Sequence, residues 1–392
     1  MSVLNFNNTE VAFNAKSNTE LKKTAWLFQM MNYNWLVKLG APIALKAVEW
    51  HLPFAKTIIK YTIFEQFCGG ENLEAAMPTI DKLYKSNTLT ALDYGAEAKE
   101  SEADFDHTQN EFIKAINFAA AAESISVVCV KITGMCRFGL LESLHEGKTL
   151  TGAEQAEYQI VTTRFETVCK AAYDNKVSIF VDAEETWIQR PIDILVEKMM
   201  TKYNRESITI YNTYQMYLSN RLQYLHDSFA RAEAGGYILG AKLVRGAYMD
   251  KERKRAEAMG YESPINVTKQ ATDDMYNAAV RFCVARYKNI ASCCASHNAD
   301  SNMLQANLIS ELGIQKNHPH LMFSQLYGMS DNLTFNLAHE GYTSSKYMVY
   351  GTVEDVIPYL IRRAQENTAV SGDMSREYKL IDTELKRRKL QS

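Results

Sequence analysis

The sequence predicts an α/β protein built on a (β/α)8 TIM-type barrel with a helical N-terminal arm. Short apolar runs rich in β-branched residues recur eight times between residues 89 and 351. Each is too continuously apolar to be one face of a surface sheet and is expected to be buried on both faces, as parallel strands are. The segments between the runs are long enough for crossover helices. No GxGxxG motif opens a helix after a predicted strand, so an open doubly wound sheet is the less favoured alternative.

The eight strands are predicted at residues 89–95, 126–134, 177–182, 207–212, 238–247, 291–297, 320–325 and 346–351. Amphipathic segments at residues 154–174, 214–234, 267–289 and 331–340 are predicted as helices between them. The first 85 residues lack this alternation and look helical. The expected domains are therefore an arm at residues 1–85 and a catalytic barrel at residues 86–392. After about residue 370 we expect a charged helix whose basic end, residues 386–389, is solvated.

The composition limits the kinds of binding partner and the cellular compartments that are expected. The net charge of −3 over 392 residues gives no general attraction to nucleic acid. The seven cysteines contain no CxxC pair and are expected to be buried, reduced thiols. The N-terminus resembles neither a secretory signal nor an Arg-rich transit peptide, and no apolar stretch reaches the ~18–20 residues that span a bilayer. These features predict a cytoplasmic protein of bacterial type, or a mitochondrial one if the source is eukaryotic.

One segment is a candidate for peripheral contact with the inner membrane. Residues 35–67 are apolar but are interrupted by lysines and by two prolines, so two or three short amphipathic helices are expected there. Such helices either pack against the main domain or bind an anionic membrane surface. The sequence favours packing and leaves membrane contact open.

Ionisable side chains lie at the predicted C-terminal ends of most strands, where barrels of this kind place their chemistry. Buried charges cost stability unless they are paired or used, so as a group these residues predict a functional site. They are Lys131, Asp182, Lys242, Arg245, His297, Arg362 and Arg363.

Two adjacent arginines, Arg362 and Arg363, follow the last predicted strand on a helix. Neighbouring helical residues project about 100° apart, so both cannot face solvent in the same way. Guanidinium groups bind planar anions in a bidentate manner, which predicts an enzyme with a small carboxylate or phosphate substrate. No metal is expected, because His297 has no Cys or His partner at ligand spacing.

Two other functions fit the same residues. A Schiff-base aldolase would use Lys131 or Lys242 as its nucleophile and the arginine pair to bind a phosphate. A barrel without catalytic activity could bind an anion at the same place.

Four short motifs follow in order at predicted strand ends: DAEE at residues 182–185, KLVRGAY at 242–248, SHN at 296–298 and YLIRRAQEN at 359–367. Together they resemble the proline dehydrogenase family in its monofunctional form, from about residue 89 to residue 367. The resemblance implies a distorted barrel with non-covalently bound FAD. It also implies oxidation of L-proline to 1-pyrroline-5-carboxylate by hydride transfer to flavin N5, with electrons passed to a membrane quinone.

The resemblance assigns roles to individual residues. Arg362 and Arg363 would bind the proline carboxylate, with Lys131 as a third cation. Tyr347 would pack over the proline ring and disfavour a ring hydroxyl, and Glu97 would form an ion-pair gate with Arg362. The pocket would also be lined by Asp182, Leu243 and Tyr248. FAD would contact Gln215, Lys242, Val244, Arg245, Gly246, Ala247, His297 and Glu366, with Lys269 and Thr272 as weaker candidates.

Overall fold

The computed structural model describes residues 4–31, 33, 40, 43, 46–48, 50, 52–95, 100–369 and 373–390, with side chains described except at 364–369 and 373–375. Within these ranges the strands are β1 (Cys68–Gly70), β2 (Leu89–Tyr94), β3 (Ile125–Val130), β4 (Ser178–Val181), β5 (Ile210–Gln215), β6 (Leu239–Val244), β7 (Ile290–Ala295), β8 (Leu321–Leu326) and β9 (Ser344–Tyr350). Their order in the sheet is β1-β9-β2-β3-β4-β5-β6-β7-β8, and β8 also pairs with β9. Strands β2 to β9 therefore close into an eight-stranded parallel barrel, which confirms the predicted (β/α)8 class, and β1 is an additional strand beside β9.

The helices in the described residues, in chain order, are α1 (Thr9–Phe13), α2 (Asn18–Met31), α3 (Ala55–Ile59), α4 (Glu65–Phe67), α5 (Leu73–Tyr84), α6 (Glu102–Ala120), α7 (Phe138–His145), α8 (Gly152–Asp174), α9 (Thr186–Tyr203), α10 (Arg221–Gly235), α11 (Met249–Met259), α12 (Lys269–Val284), α13 (Ala299–Glu311), α14 (Asp331–His339), α15 (Val353–Ala369) and α16 (Asp373–Arg387). A π-helical turn, Lys60–Phe64, joins α3 to α4, and a 3₁₀ turn, Ile132–Gly134, follows β3. Each of these helices is too short or too polar to cross a bilayer.

Three elements differ from the prediction. The fourth barrel strand is Ile210–Gln215 instead of residues 207–212, and the helix after it begins only at Arg221. The second half of this strand, residues 212–215, is polar but buried, so a search for apolar periodicity does not find it. Lys131 follows β3 instead of lying within it. The N-terminal segment is largely helical, as predicted, but it also contributes β1.

The chain forms two compact units: Met1–Ala96 with Gln325–Ser392 (the terminal unit), and Glu97–Ser324 (the central unit). The sequence-based division at residues 85 and 86 stays a prediction. In the central unit, Phe180 and Tyr211 are paired in register on β4 and β5, and their rings meet edge to face at 5.0 Å. A Cβ on Gly240 would lie 2.2 Å from the Ile210 carbonyl oxygen, so only glycine fits at this point of β6.

The basic end of α16 is partly buried in the terminal unit. Glu384 is fully buried and accepts hydrogen bonds from Arg387 at 2.8 Å and Arg388 at 2.6 Å. Arg388 also donates to the backbone carbonyls of Phe13 and Lys16, both at 2.8 Å. The predicted solvated helix end is therefore wrong for Arg388, because a buried carboxylate requires a partner.

Candidate active site

Two lysines flank a carboxylate inside the central unit. Asp182 follows β4, Lys131 follows β3, and Lys242 lies in β6. The Lys242 ammonium is 2.5 Å from Oδ1 of Asp182, and the Lys131 ammonium is 3.5 Å from Oδ2. Because β4 and β6 are separated by β5, side chains that meet across it lie on the concave face of the sheet. The structure thus brings three predicted site residues together in what we name the lysine–aspartate cluster.

The charged groups of this cluster are shielded from water. Its members are 7% (Lys131), 9% (Asp182) and 6% (Lys242) exposed. Burial opposes the charge on Lys242, but Asp182 outweighs this effect and raises the pKa of the ammonium. The Lys242 nitrogen also lies 5.3 Å from the centre of the Phe180 ring, a cation–π contact. Lys242 is therefore a permanent cation at neutral pH.

One chain of hydrogen bonds joins four successive strand ends. Glu184, just after β4, accepts from the N–H of Thr133 at 3.1 Å and from its hydroxyl at 2.5 Å. The Gln215 amide donates to the Glu184 carbonyl at 2.8 Å, and its oxygen accepts from the Ala247 N–H at 3.3 Å. The ends of β3, β4, β5 and β6 are thereby held at fixed separations. Such a chain pre-organises the lysine–aspartate cluster that the same strand ends carry.

Glu184 makes the stability of the protein depend on pH. Burial, opposed by the hydrogen bonds from Thr133, raises the pKa of Glu184 from 4.5 to about 7. Since the folded state holds this proton more tightly than the unfolded chain, the free energy of unfolding falls as pH rises from 4.5 to about 7 and is level above that. A shift of this size corresponds to about 3 kcal/mol. We expect Glu184→Gln to remove most of this slope in urea unfolding measured across that range.

Glu206→Gln is the matched control for this experiment, because Glu206 is an exposed glutamate of the same unit. It should leave the slope as in the unaltered protein. A slope that survives Glu184→Gln would show that another group binds the proton.

Arg245, a predicted flavin contact, belongs to a second cluster centred on Asp273. Its Nε donates to Asp273 at 2.7 Å, and its terminal nitrogens donate to the hydroxyls of Ser296 at 2.6 Å and Ser301 at 3.0 Å. Lys269 pairs with the same carboxylate at 2.7 Å. Burial opposes the charge of Asp273, yet the hydrogen bonds from Lys269 and Arg245 lower its pKa. The Arg245 charge is thus balanced by the protein itself.

The loop after β6 exposes part of its backbone to solvent. Gly246 and Ala247 are exposed, and Gly246 has a φ of +143°. A Cβ on Gly246 would lie 2.5 Å from the Tyr217 ring, so the position requires glycine. The side chains of Val244 and Tyr248 on either side are half-buried. An exposed backbone next to an oriented amide suits close approach of a planar ligand.

Two further predicted contacts lie at the ends of β7 and α12. His297 is half-buried and directly precedes Asn298, whose side chain accepts from the Ser301 N–H at 3.0 Å and caps α13. Thr272 is buried, and its hydroxyl accepts from the Asn266 amide at 3.3 Å.

Leu243 faces the surrounding helices. It is in register with Tyr214 and Cys294 on the neighbouring strands. The Tyr214 ring packs 6.0 Å from Tyr224 of α10, and the Cys294 thiol lies 3.4 Å from the Tyr276 hydroxyl of α12. The structure therefore does not bring Leu243 to the lysine–aspartate cluster, because alternate residues of a strand face opposite sides.

The terminal unit holds Tyr347 and both predicted arginines. Tyr347 lies in β9, in register with Ala91 of β2, and is 9% exposed. Arg363 lies on the same stripe of α15 as Val356 and is 7% exposed, whereas Arg362 is half-buried. The Arg363 guanidinium lies 5.3 Å from the centre of the Tyr359 ring. A guanidinium on the core-facing stripe of a helix is suited to a buried anion.

Glycines shape the turn that leads into α15. Gly351 has a φ of +147°, and its N–H donates to the Gly70 carbonyl at 3.1 Å. A Cβ on Gly95 would lie 2.5 Å from the side chain of Val356. The first turn of α15 can therefore approach the ends of β2 and β9 closely, and this sets the depth at which the arginines lie.

Several residues with predicted roles lie outside the described residues or have side chains that are not described. Glu97, the predicted gate, is not among the described residues, and neither is most of the segment at residues 34–51. Glu366 lies on α15, one turn after the arginines, but its side chain is outside the description. Their roles stay predictions.

Sequence reasoning missed the buried ion pair of Asp193 and Arg221. Two hydrogen bonds of 2.7 Å join them, and Asp193 also accepts from Gln189 and Asn212, both at 2.9 Å. The signal was present, because Asp193 is the single charge in the otherwise apolar run at residues 191–196. The bonding roles of Glu184 and Thr133 were also missed, and the adjacent acids of the DAEE motif were their only signal.

Known proteins resemble this chain along most of its length. The proline dehydrogenase family model matches residues 76–376. Proline dehydrogenase 2, mitochondrial, from Arabidopsis thaliana is 35% identical, over 84% of this chain and 79% of that protein. The hydroxyproline dehydrogenase of Xenopus laevis is 30% identical, over 96% of this chain and 88% of that protein. The structure of proline utilization A (PutA) from Bdellovibrio bacteriovorus, inactivated by N-propargylglycine, shares the fold with a TM-score of 0.72 at 20% identity, over 91% of this chain and 38% of that longer one. The chain therefore belongs to the proline dehydrogenase family of enzymes.

Proposed function

We propose that this protein is an FAD-dependent proline dehydrogenase that oxidises L-proline to 1-pyrroline-5-carboxylate and passes the electrons to a quinone. The observation that carries the proposal is the family match over residues 76–376. Bound FAD would supply the hydride acceptor, at its N5 atom.

The central unit fits a flavin. The lysine–aspartate cluster lies on the concave face of the sheet, where Lys242 would hold the edge of the ring system. The Gln215 amide is fixed at both ends, and the exposed backbone of Gly246 and Ala247 lies beside it. We propose that Val244, Arg245, His297, Glu366, Lys269 and Thr272 contact the remainder of the cofactor. Of these, Arg245 and Lys269 would do so as parts of the Asp273 cluster, in which they share one carboxylate.

The carboxylate is the group of the substrate that the protein can bind most strongly. We propose that Arg362 and Arg363 bind it, with Lys131 as a third cation and Glu97 closing over Arg362 as a gate. A bidentate contact with the carboxylate fixes the orientation of the ring. It thereby directs at the acceptor a C–H bond of the ring carbon on the far side of the nitrogen, the carbon that joins the C=N bond of the product. The buried stripe that holds Arg363 supports this role, because it limits the rotamers of the side chain.

The amine of proline must be neutral when hydride leaves. Cationic residues disfavour an ammonium group and lower its pKa, so the arginines and lysines would promote release of the proton without a dedicated base. Asp182 already accepts hydrogen bonds from Lys242. We therefore propose that it orients the lysines and lines the pocket, together with Tyr248, and does not remove a proton.

Tyr347 is the proposed determinant of substrate choice. Its buried ring on β9 would pack over the proline ring and leave no room for a ring hydroxyl. We propose proline over hydroxyproline on this ground, although the hydroxyproline dehydrogenase of Xenopus laevis is among the relatives.

The visible absorption spectrum tests the proposed function. We expect the purified protein to be yellow, and anaerobic L-proline to bleach the flavin band at stoichiometric amounts. D-proline is the matched control and should not bleach it, because its ring would lie in a different orientation when the same residues bind its carboxylate. A colourless protein, or a yellow one that L-proline leaves unchanged, would contradict the proposal.

A Schiff-base aldolase that uses Lys242 is disfavoured by one observation, and the same alternative with Lys131 stays a prediction. A nucleophilic lysine must lose its proton, and Asp182 raises the pKa of Lys242. Borohydride in the presence of a carbonyl substrate should therefore leave Lys242 unmodified.

We propose the region of residues 35–67 as the contact with the quinone-bearing membrane. Its described part exposes large apolar side chains: Trp50 is 69%, Phe54 76%, Ile58 63% and Tyr61 63% exposed. Exposed apolar side chains of this size within one segment support an interfacial role.

Flotation with vesicles that contain anionic lipid tests this contact. The double variant Phe54→Ser/Ile58→Ser should lose most of its vesicle-bound fraction. Leu312→Ser is the control, because Leu312 is 54% exposed in the central unit. Equal flotation of all three proteins would exclude the segment as the contact.

A further inference from the structure

The terminal unit contains a cavity to which the proposed function assigns no role. Its volume is about 510 Å³, within the range of small-molecule sites. All of its walls come from this unit: α1 and the residues before α2, α2, the π-helical turn with α4, β1, α5, the loop after β8 and α14. None of the predicted catalytic, substrate or cofactor residues lines it, and the π-helical turn with α4 belongs to the segment proposed above as the membrane contact.

The backbone around this cavity is unusual in two places. The π-helical turn Lys60–Phe64 forms one wall, and such turns occur frequently at functional sites. On the opposite wall Gly328 has a φ of +80°, and a Cβ there would lie 2.0 Å from the Gln66 carbonyl oxygen. The Gln66 amide also donates to the Gly328 carbonyl at 2.7 Å. The two walls are thus locked together, and the cavity is formed before any ligand arrives.

The charged side chains that line the cavity are all paired, and one of them, Asp331, also pairs with the buried Lys346 at 2.9 Å. They form four ion pairs, which are Lys23–Glu65 at 2.6 Å, Lys82–Glu20 at 2.5 Å, Lys16–Asp331 at 3.5 Å and Lys60–Glu71. Every lysine and every carboxylate that lines the cavity belongs to one of these pairs. A charged ligand would have to break a pair to find a partner, so a neutral ligand is favoured.

The remaining lining combines apolar side chains with five hydroxyls, those of Thr24, Tyr61, Thr62, Thr79 and Tyr327. Leu27, Phe64 and Leu83 are buried side chains of the lining. Burial raises the pKa of the Tyr327 hydroxyl, and nearby carboxylates add to the effect, so the phenol stays protonated. Thr79 lies within hydrogen-bonding distance of this hydroxyl. A phenol donor against an apolar wall matches a carbonyl or ether oxygen on an apolar ring.

From this lining we infer that the cavity is a binding site for a neutral, ring-sized apolar molecule whose acceptor oxygen is hydrogen-bonded by Tyr327. Helix α2 covers the site. Two of the ion pairs start on this helix, at Glu20 and Lys23, and reach α5 and α4 on the far side. Both pairs are largely exposed and are therefore screened by salt, so exchange of the ligand should be faster at high ionic strength.

Equilibrium dialysis with a pair of naphthalene probes tests the inference. 2-Acetylnaphthalene is neutral and carries a carbonyl, whereas 2-naphthoate has the same ring and a negative charge. We expect the unaltered protein to bind the first saturably and at least tenfold more tightly than the second. Tyr327→Phe should weaken binding of 2-acetylnaphthalene by about two- to tenfold, the effect of losing one hydrogen bond.

Two tryptophan variants on α5 locate the binding site. Ala75 lines the cavity and the adjacent Glu74 does not, although both are exposed positions of the same first turn. Ala75→Trp should abolish binding of 2-acetylnaphthalene, and Glu74→Trp should leave it intact. Thermal unfolding of both variants shows whether the fold is retained. Full binding by a folded Ala75→Trp, equal affinity for the two probes, or no saturable binding by the unaltered protein would overturn the inference. None of these outcomes depends on flavin content or proline oxidation, so the inference stands or falls separately from the proposed function.

Discussion

Replacing Arg363 by alanine will raise the KM for L-proline by about 10- to 100-fold and leave kcat nearly unchanged. Arg363 lies on the buried stripe of α15, where its guanidinium would form a charge-assisted contact with the substrate carboxylate. The carboxylate keeps its charge throughout the reaction. The contact should therefore be equally strong with bound substrate and in the transition state, and its loss appears in KM.

Steady-state kinetics of three variants separate charge from geometry. Arg363→Lys keeps the charge but loses the planar fork, so its KM should fall between those of Arg363→Ala and the unaltered enzyme. Arg281→Ala, at an exposed position of α12, is the control and should behave as the unaltered enzyme does. An unchanged KM in Arg363→Ala would remove this residue from the proposed binding site.

The largest loss of stability is expected from Asp193→Ala. This change leaves Arg221 buried against Tyr214 and Tyr224, 5.2 and 4.2 Å from their ring centres, without its carboxylate. An uncompensated buried charge costs about 3–5 kcal/mol of unfolding free energy. Urea unfolding followed by circular dichroism measures it.

A second, more exposed ion pair in the same unit provides a comparison for this experiment. Glu197 and Arg231 form a pair with the same two-bond geometry, at 2.7 and 2.9 Å, but their side chains are 28% and 43% exposed. Glu197→Ala should therefore cost at most about 1 kcal/mol. The double variant Asp193→Leu/Arg221→Met should recover part of the loss, because it removes the uncompensated charge. The recovery should be incomplete, because the amides of Gln189 and Asn212 lose their acceptor. Equal losses for Asp193→Ala and Glu197→Ala would show that burial does not govern these pairs.

The barrel and the lysine–aspartate cluster were predictable from the sequence for the same reason. Parallel strands buried on both faces give continuous apolar runs, and closure of the barrel brings their C-terminal ends together. Polar residues after separate runs, such as Asp182 and Lys131, then become neighbours although they are far apart in the chain. Strand order did not have to be known for this inference.

The fourth barrel strand was misplaced because burial of polar groups depends on partners in other elements. Asn212 donates to Asp193 at 2.9 Å, the Thr213 hydroxyl donates to the Val181 carbonyl at 2.7 Å, and Gln215 bridges two strand ends. In isolation these side chains indicate a loop. Only the packed structure supplies the acceptors that make them tolerable in a buried strand.

Arg245 shows the same limit for site residues. Its place in the KLVRGAY motif pointed to a cofactor contact, but the carboxylate that balances its charge, Asp273, lies 28 residues later on a helix. Motifs identify which residues gather at a strand end. They do not identify which neighbours each residue will bind there.

The hydrogen-bonded chain from Thr133 through Glu184 and Gln215 to Ala247 has a consequence for anyone redesigning this enzyme. Members of such a chain are energetically coupled, so the effects of changing them will not add. Libraries that vary these positions one at a time will mostly give destabilised proteins. Each single change leaves a hydrogen-bond donor or acceptor of the chain without its partner. Combinatorial libraries that vary Thr133, Glu184 and Gln215 together, selected for mutually compatible sets, are the better route to new substrates.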